Sequence, residues 1–561
     1  MTEFMKTGMR RVWALLLCLV MVLSMGVPSY AASVDTVESA INDTAAYLLK
    51  TVTAPEVGSI GGEWCVLGLA RSGYQVPDKY YKDYYARVEK YVADCKGVLH
   101  RKKYTEHSRL IVALSTLGKD ARDVAGYDLT KALGDYDKTI WQGLNGPIWA
   151  LIALDSRDYP MPQNPEAKTQ ATRQMYIDRI LACQLPDGGW SLFGGTKAAK
   201  SDQDKISDPD ITGMAIQALA KYQDQPAVAK ATQEALACMS KRQDKLGGFD
   251  SWGTTNSESV VQMICALGEL GLSLDDPRFV KNGNTMMDNL LTFHIKGEGF
   301  LHTHDNQGNN LMSTEQGFYG LISAYRVAKG MNTLYRMSDA KVVDLTGGAK
   351  VTATAGMGLE DKDPAVKNSP IKNENVTFSD VKGHANENAI IDLAKRNVIN
   401  GMGNGTFAPD KSMTRAEFAT IVVKSLGLAT AGTNKFSDVP SSKWFAPYIG
   451  AALNYGIVTG VSDNKFNPNG TISRQEAALM VSRAAKLCGM KGDFDMQASR
   501  DVLAPFGDYV KVASWAMQGT AFCYYNNILD QEDIDIRPKD AIKRCEIAQM
   551  IYNMLNNAKL L

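Results

Sequence analysis

Two groups of residues in this chain could do chemistry, and both stand at the start of a helical pattern. The first is Ser207-Asp208-Pro209-Asp210, two carboxylates ahead of an apolar face made by Ile211, Met214, Ala215, Ala218, Leu219 and Tyr222. Paired acids suit general acid catalysis, in which one carboxyl keeps its proton and delivers it. The same residues also suit helix initiation: Asp208 is a good N-cap, Pro209 fits the first helical position and Asp210 fits the positive end of the dipole. The second group is Arg415, Arg474 and Arg544, each one residue into Thr414-Arg-Ala-Glu417, Ser473-Arg-Gln-Glu476 or Lys543-Arg-Cys-Glu546. A cation in the first turn opposes the helix dipole and costs about 0.3 kcal/mol or more. A bound anion reverses that sign, because helix-terminal N–H groups and a guanidinium fork both fit a carboxylate. A salt bridge to a neighbouring acid would do the same.

The acids belong to a pattern that returns six times between residues 33 and 343. Each copy begins polar or glycine-rich and runs into an apolar helix ending at Leu69, Leu114, Leu154, Leu219, Leu267 or Tyr325, about 40–65 residues apart. Each interval has room for a second, amphipathic helix and a loop, as with Gln174 to Ala182 or Ala231 to Met239. Helix pairs of this kind must stack to bury their apolar faces, and six pairs can close into a double ring. Asn145, Asp210, Glu258 and Gln316 each stand nine residues before their repeat's last position. If the inner helices run parallel, they gather at one rim. The expected pocket takes in Asp208, Asp210, Glu258, Glu315 and Trp190, with Asp210 or Glu258 as the acid of any enzyme built there.

This region resembles the α/α toroid of terpenoid cyclases and protein prenyltransferase β subunits. Gln184-Leu-Pro-Asp-Gly188-Gly-Trp190 fits the cyclases' Q-x-x-x-G-x-W motif, and Gln243-Asp-Lys-Leu-Gly247-Gly-Phe249 fits it with Phe for Trp. The cyclase proton donor is the middle acid of D-x-D-D, a position the resemblance gives to Asp210, but Ile211 replaces the last acid. A prenyltransferase zinc site needs an Asp-x-Cys pair and a distant His. Asn256-Ser-Glu-Ser-Val260 and Ser313-Thr-Glu-Gln-Gly-Phe-Tyr319 supply neither. His302-Thr-His304 lacks a third ligand and reads as a solvated loop pair, so no metal and no cofactor are expected.

The arginines belong to three repeats of about 60 residues, at 377–430, 435–490 and 500–561. Phe378-Ser-Asp380-Val, Phe436-Ser-Asp438-Val and Phe506-Gly-Asp508-Tyr open them, and Gly401 to Pro409 and Gly460 to Pro468 form glycine-rich loops in the first two. Thr414 with Glu417 and Ser473 with Glu476 are capping boxes. These repeats resemble the S-layer homology family. The resemblance implies non-covalent attachment to secondary cell-wall polysaccharide through a terminal sugar bearing a pyruvate ketal. It gives Arg415, Arg474 and Arg544 the anion, Asp380, Asp438 and Asp508 the framework or sugar hydroxyls, and Trp444 and Trp515 a stacking face. Ala385 stands where the first repeat should carry its Trp, and the third repeat lacks the glycine-rich loop. The second repeat is expected to be the most complete site.

Residues 344–376 lack periodicity and read as a flexible linker. Lys6, Arg10 and Arg11 before an apolar run, then Ser29-Tyr30-Ala31, read as a secretory signal within residues 1–32, cut near Ala31 or Ala32. No span is expected in the mature chain. The 61 Lys plus Arg balance 61 Asp plus Glu, so no overall field favours nucleic acid. Eight cysteines follow Cys18, scattered singly in helical patterns, and read as small buried apolar residues rather than a disulfide framework. The fold expected is all-α, a toroid of six helix pairs followed by three helical repeats, in an exported wall-bound protein whose ring holds an unknown ligand or acts as a scaffold; the alternative is a surface enzyme, terpenoid cyclase-like or polysaccharide-processing, that uses the ring's cavity.

Overall fold

The computed structural model describes residues 32–561 apart from 101–102, 198, 200–201, 252, 306–307, 349–357, 431–433, 493, 504–505 and 530–534. The expected secretory signal lies outside the described residues. The chain forms two units that part near residue 351.

The N-terminal unit is all-α, with two short antiparallel ribbons among the described residues, Asp250–Ser251 with Thr254–Thr255 and His294–Ile295 with Gly299–Phe300. Its main helices are α1 (Val34–Thr51), α2 (Trp64–Arg71), α3 (Asp78–Asp94), α4 (Thr105–Thr116), α5 (Asn145–Ser156), α6 (Arg173–Ala182), α7 (Pro209–Leu219), α8 (Pro226–Arg242), α9 (Ser257–Glu269), α10 (Met286–Leu291) and α11 (Leu311–Ala328). Helices α2, α4, α5, α7, α9 and α11 pack in that order, and α11 closes back on α2. They carry few charges and are buried on almost every side, as an inner ring requires. The helices between them are amphipathic, as in α3, where Tyr81, Tyr84, Tyr85, Val88 and Val92 face inward. Between α4 and α5 the outer element shrinks to short turns over residues 129–142.

The glutamine motifs are clamps between the layers. Gln184 Nε2 donates to Gly188 O and to Ala231 O in α8, and Gln243 repeats this with Gly247 O and Phe279 O. Gly188 has φ +103°, where a side chain would be strained. Trp190 is fully buried, its indole N–H donating 2.7 Å to Ile180 O.

Residues after α11 cross the end of the ring where the inner helices finish. Glu269 accepts from Tyr335 N and Thr333 Oγ1, Met337 N donates to Ser156 O, and Asp339 pairs with both Arg71 and Arg326. These contacts join the C-terminal ends of α2, α5, α9 and α11, so the inner helices run parallel.

The second unit contains α12 (Glu387–Lys395), α13 (Arg415–Ser425), α14 (Ala446–Asn454), α15 (Arg474–Leu487), α16 (Met496–Leu503), α17 (Ser514–Tyr525) and α18 (Arg544–Asn557). The arginine-bearing helices α13, α15 and α18 pack against one another. Each starts on the next repeat's loop: Arg415 N donates to Gly470 O, Arg474 N to Asp540 O, and Arg544 N returns to Lys411 O in the first repeat. The three repeats therefore close on themselves.

The segment expected as a flexible linker is docked over its second half. Gly358 N donates to Lys559 O, Asp363 N to Leu487 O, Lys367 N to Leu426 O and Lys372 N to Lys395 O, while Val366 is fully buried. Its pattern misled because it follows neither helical nor strand period, yet every repeat gives it a carbonyl. Among the described residues, no helix is long and apolar enough to cross a membrane.

Seven of the eight described cysteines are buried and Cys95 is half-buried, and all are free thiols. Burial pushes Cys95 up to about 11 and Cys488 up to about 12. A bulky disulfide reagent at neutral pH is expected to modify at most about one thiol in the folded protein. All eight described thiols should react in denaturant; rapid native labelling of several would contradict this packing.

Candidate binding sites

In the second unit each predicted aspartate clamps a loop. Asp380 accepts from Phe407 N and Ala408 N, Asp438 from Phe466 N and Asn467 N, and Asp508 from Ile536 N and Arg537 N, all at 2.6–3.0 Å. The second residue of each pair, Ala408, Asn467 or Arg537, has φ between +51° and +59°, a conformation that costs about 1 kcal/mol and needs such a clamp. Burial raises the Asp380 and Asp438 carboxyls, but the two N–H donors on each outweigh it and hold both below the usual range.

The arginines are buried, between 4% and 7% exposed, and two of them follow the salt-bridge reading. Arg415 Nη1 lies 2.5 Å from Glu476 Oε1 and its Nε donates to Phe466 O. Arg474 Nη1 lies 2.5 Å from Glu546 Oε1 and its Nε donates to Ile536 O. Each glutamate serves two helices, since its Oε2 accepts the N–H of its own N-cap, Ser473 or Lys543. Arg544 differs. It stacks on Phe407 at 4.5 Å and donates to Phe407 O and Asn400 O, with no carboxylate within 4.0 Å among the described residues. Burial depresses its guanidinium against a pull from the more distant Glu417 and Asp380. Trp444 and Trp515 stand on the surface, 58% and 55% exposed. Spacing along the chain holds no sign that one arginine meets no carboxylate among the described residues, because the carboxylates come from other repeats.

In the ring, the expected pocket residues mostly disperse. Asp208 caps α7, its Oδ1 accepting from Asp210 N and Ile211 N and its Oδ2 from Ser251 Oγ. Burial raises its carboxyl against those donors. Glu258 is 6% exposed and accepts from Ser313 Oγ, with His302 Nδ1 at 2.8 Å. His302, expected in a solvated pair, is therefore buried, and His304 stacks on Phe293. Glu315 is fully buried and accepts from Gly61 N at 2.9 Å. Trp190 is the interlayer wedge already described. Of the five, only Asp210 stands half-exposed at the rim without capping a helix.

What lies at the mouth instead comes from one register of the repeat. Five residues before each repeat's last position stand Trp64, Arg109, Trp149, Met214, Gln262 and Gly320. Helices α2 and α5 are not neighbours in the ring, yet the Trp64 and Trp149 rings meet at 5.0 Å, so they touch across the axis. Tyr319 lies 5.9 Å from Trp64 and Tyr335 5.9 Å from Trp149. Beside them Gln217 Nε2 donates to Gln262 Oε1, and Gln262 Nε2 donates to Gln316 Oε1 and Tyr319 OH. These side chains meet across the axis, and toward the N-terminal ends of the inner helices the residues turn half-exposed, which outlines a bowl at that mouth. Trp64 and Trp149 are its half-exposed floor; Glu106, Arg109, Asn145, Asp210, Met214 and Gln316, all half-exposed, form its wall. Arg109 pairs with both Glu63 and Glu106. Burial works against Glu106, but Arg109 holds it down at about 2. The recurring register was visible in the sequence; two tryptophans there were the missed signal.

The family model described as S-layer homology domain matches residues 377–419 and 435–478; the third repeat falls outside the match. The chain is 30% identical over 194 residues to exoglucanase XynX of Acetivibrio thermocellus, covering 34% of this chain and 17% of that protein. It is 32% identical over 184 residues to the surface-layer 125 kDa protein of Lysinibacillus sphaericus, covering 32% of this chain and 15% of that protein. It thus spans less than a fifth of the length of either relative. Among solved structures, the unsaturated glucuronyl hydrolase of Bacillus sp. GL1 is similar with TM-score 0.37 and 11% identity, covering 55% of this chain and 100% of that one. That neighbour is not a terpenoid cyclase, and a likeness so distant says nothing about the ring's chemistry. The chain carries S-layer homology repeats in its C-terminal unit, and it resides at the cell wall or cell surface.

Proposed function

We propose that the C-terminal unit attaches the protein non-covalently to an acidic wall polysaccharide, with the carboxylate of a terminal pyruvate ketal at Arg544. The carrying observation is the asymmetry of three equivalent arginines: Glu476 and Glu546 satisfy two, while Arg544 is buried with no carboxylate within 4.0 Å among the described residues and only the more distant Glu417 and Asp380 pulling on it. A buried cation without a counter-charge is costly, and a ligand carboxylate removes that cost. The acidic group is thus read in the first repeat's groove rather than the second, where the sequence pattern is more complete. Trp444 and Trp515 add stacking faces on the other two repeats, and several weak contacts on one rigid unit give firm attachment.

The ring is read as a ligand-binding or scaffolding domain presented at the surface. The side chains that meet across the axis support this over chemistry in a deep chamber, as do the capping role of Asp208 and the burial of Glu258.

Sedimentation with purified walls tests the attachment. The protein is expected to bind intact walls, and to lose binding when the polysaccharide is removed or its ketals are cleaved by mild acid. Arg544→Gln should weaken binding about tenfold, the cost of losing one charged contact. Equal binding to stripped walls would overturn the proposal.

A further inference from the structure

We infer that the bowl at the N-terminal mouth of the ring binds a neutral saccharide, stacked on Trp64 and Trp149. The inference rests on the reading of the ring as a ligand-binding domain and names its ligand class. Two tryptophans from non-adjacent helices meet at 5.0 Å and still keep part of their surface open to water. A protein that needed them only for packing would bury them, as it buries Trp190. An apolar face ringed by polar groups is the pattern of a ligand site rather than of a core.

The wall selects the class. Asn145, Asp210 and Gln316 are short groups that donate to or accept from hydroxyls. The oxygens without a hydrogen-bond partner among the described residues include two here that are themselves buried, Asn145 Oδ1 and Oε1 of Gln217, a side chain 4% exposed. Hydroxyl donors from a sugar would satisfy such acceptors, whereas an apolar ligand would leave them bare. Arg109 is already engaged by Glu63 and Glu106, so an acidic sugar finds no unpaired guanidinium here, in contrast to Arg544. A long apolar chain finds the way along the axis crossed by Tyr319, Tyr335 and the glutamine network.

The test uses the full chain with short neutral oligosaccharides of glucose, xylose or mannose, followed by tryptophan fluorescence and saturation-transfer NMR. At least one series should give a saturable response. Asn145→Ala and Trp149→Phe should each weaken it about tenfold, a change of about 1.4 kcal/mol. Trp149 also touches Tyr335, so circular dichroism accompanies that variant; Asn145→Ala removes a half-exposed amide and carries the test if Trp149→Phe unfolds. No response up to about 10 mM, weaker than any useful lectin-like affinity, would overturn the inference. So would a response unchanged in both variants, one lost instead in Trp444→Ala or Trp515→Ala, or binding of acidic sugars alone. Wall sedimentation on the same preparation, without oligosaccharide, keeps the attachment reading separately testable.

Discussion

Arg415→Ala is expected to destabilise the C-terminal unit by about 3 kcal/mol, the low end for breaking a buried ion pair, because Glu476 keeps a side-chain exposure of 27%. The change strands the Glu476 carboxylate, frees Phe466 O and removes the cation from the Phe466 ring, 5.0 Å away. Glu476 also caps its own helix, so the damage reaches two repeats. Urea titration of the full chain should show the transition of the C-terminal unit moving to lower denaturant. The double change Arg415→Met with Glu476→Gln should recover part of the loss, since no charge is then left alone. Arg544→Gln should cost only about 1–2 kcal/mol, two hydrogen bonds without a stranded carboxylate. Stability loss at Arg415 and binding loss at Arg544 would thus separate two roles that look identical in the sequence. Equal destabilisation by both would contradict the asymmetry.

Glu315→Gln is expected to stabilise the N-terminal unit increasingly as pH rises. Glu315 is fully buried beside Glu63, its Oε1 accepts from Gly61 N, and its Oε2 has no hydrogen bond among the described residues. Burial pushes its carboxyl well above the ordinary 4.5, aided by Glu63 and opposed by Gly61 N–H and Arg109. Below pH 4.5 the folded and unfolded chains both hold the proton. Above it the unfolded chain releases the proton first, so wild-type stability falls with rising pH by about 1.4 kcal/mol per unit until the folded group also ionises. Glutamine keeps the bond from Gly61 and has no proton to lose. Hydrogen exchange of the amides in α11 should converge for the two proteins near pH 4.5 and diverge above it, with the variant the better protected. Parallel curves would mean that Glu315 does not carry the shift.

The helical ring was legible from Leu69 to Tyr325 because each inner helix must be apolar all round and each outer one only on one side. That difference is written in composition. The helix start at Asp208 was equally readable, since a cap acts within a few residues. The roles of Glu258, Glu315 and His302 were not: their partners lie 44 to 254 residues away, and spacing along the chain carries no record of that. The same limit applied to the arginines. Their recurrence marked them as special, yet whether each meets a carboxylate depends on the neighbouring repeat, and among the described residues Arg544 meets none within 4.0 Å. Trp64 and Trp149 were missed for another reason. Each fits an apolar helix face, and only the shared register, five residues before the repeat's end, shows that both look down one axis.

The strap over residues 358–373 has a mechanical consequence. Its backbone bonds run from Lys559 to Leu487, Leu426 and Lys395, touching each repeat in turn. A pull on the chain from the side of the ring meets Gly358 first, held by a single bond beside the C-terminal end. Force from that side therefore reaches the strap, with its backbone bonds and the buried Val366, before it reaches the repeat helices. Under drag at the cell surface the strap would act as a sacrificial tether that lengthens before the three repeats are strained.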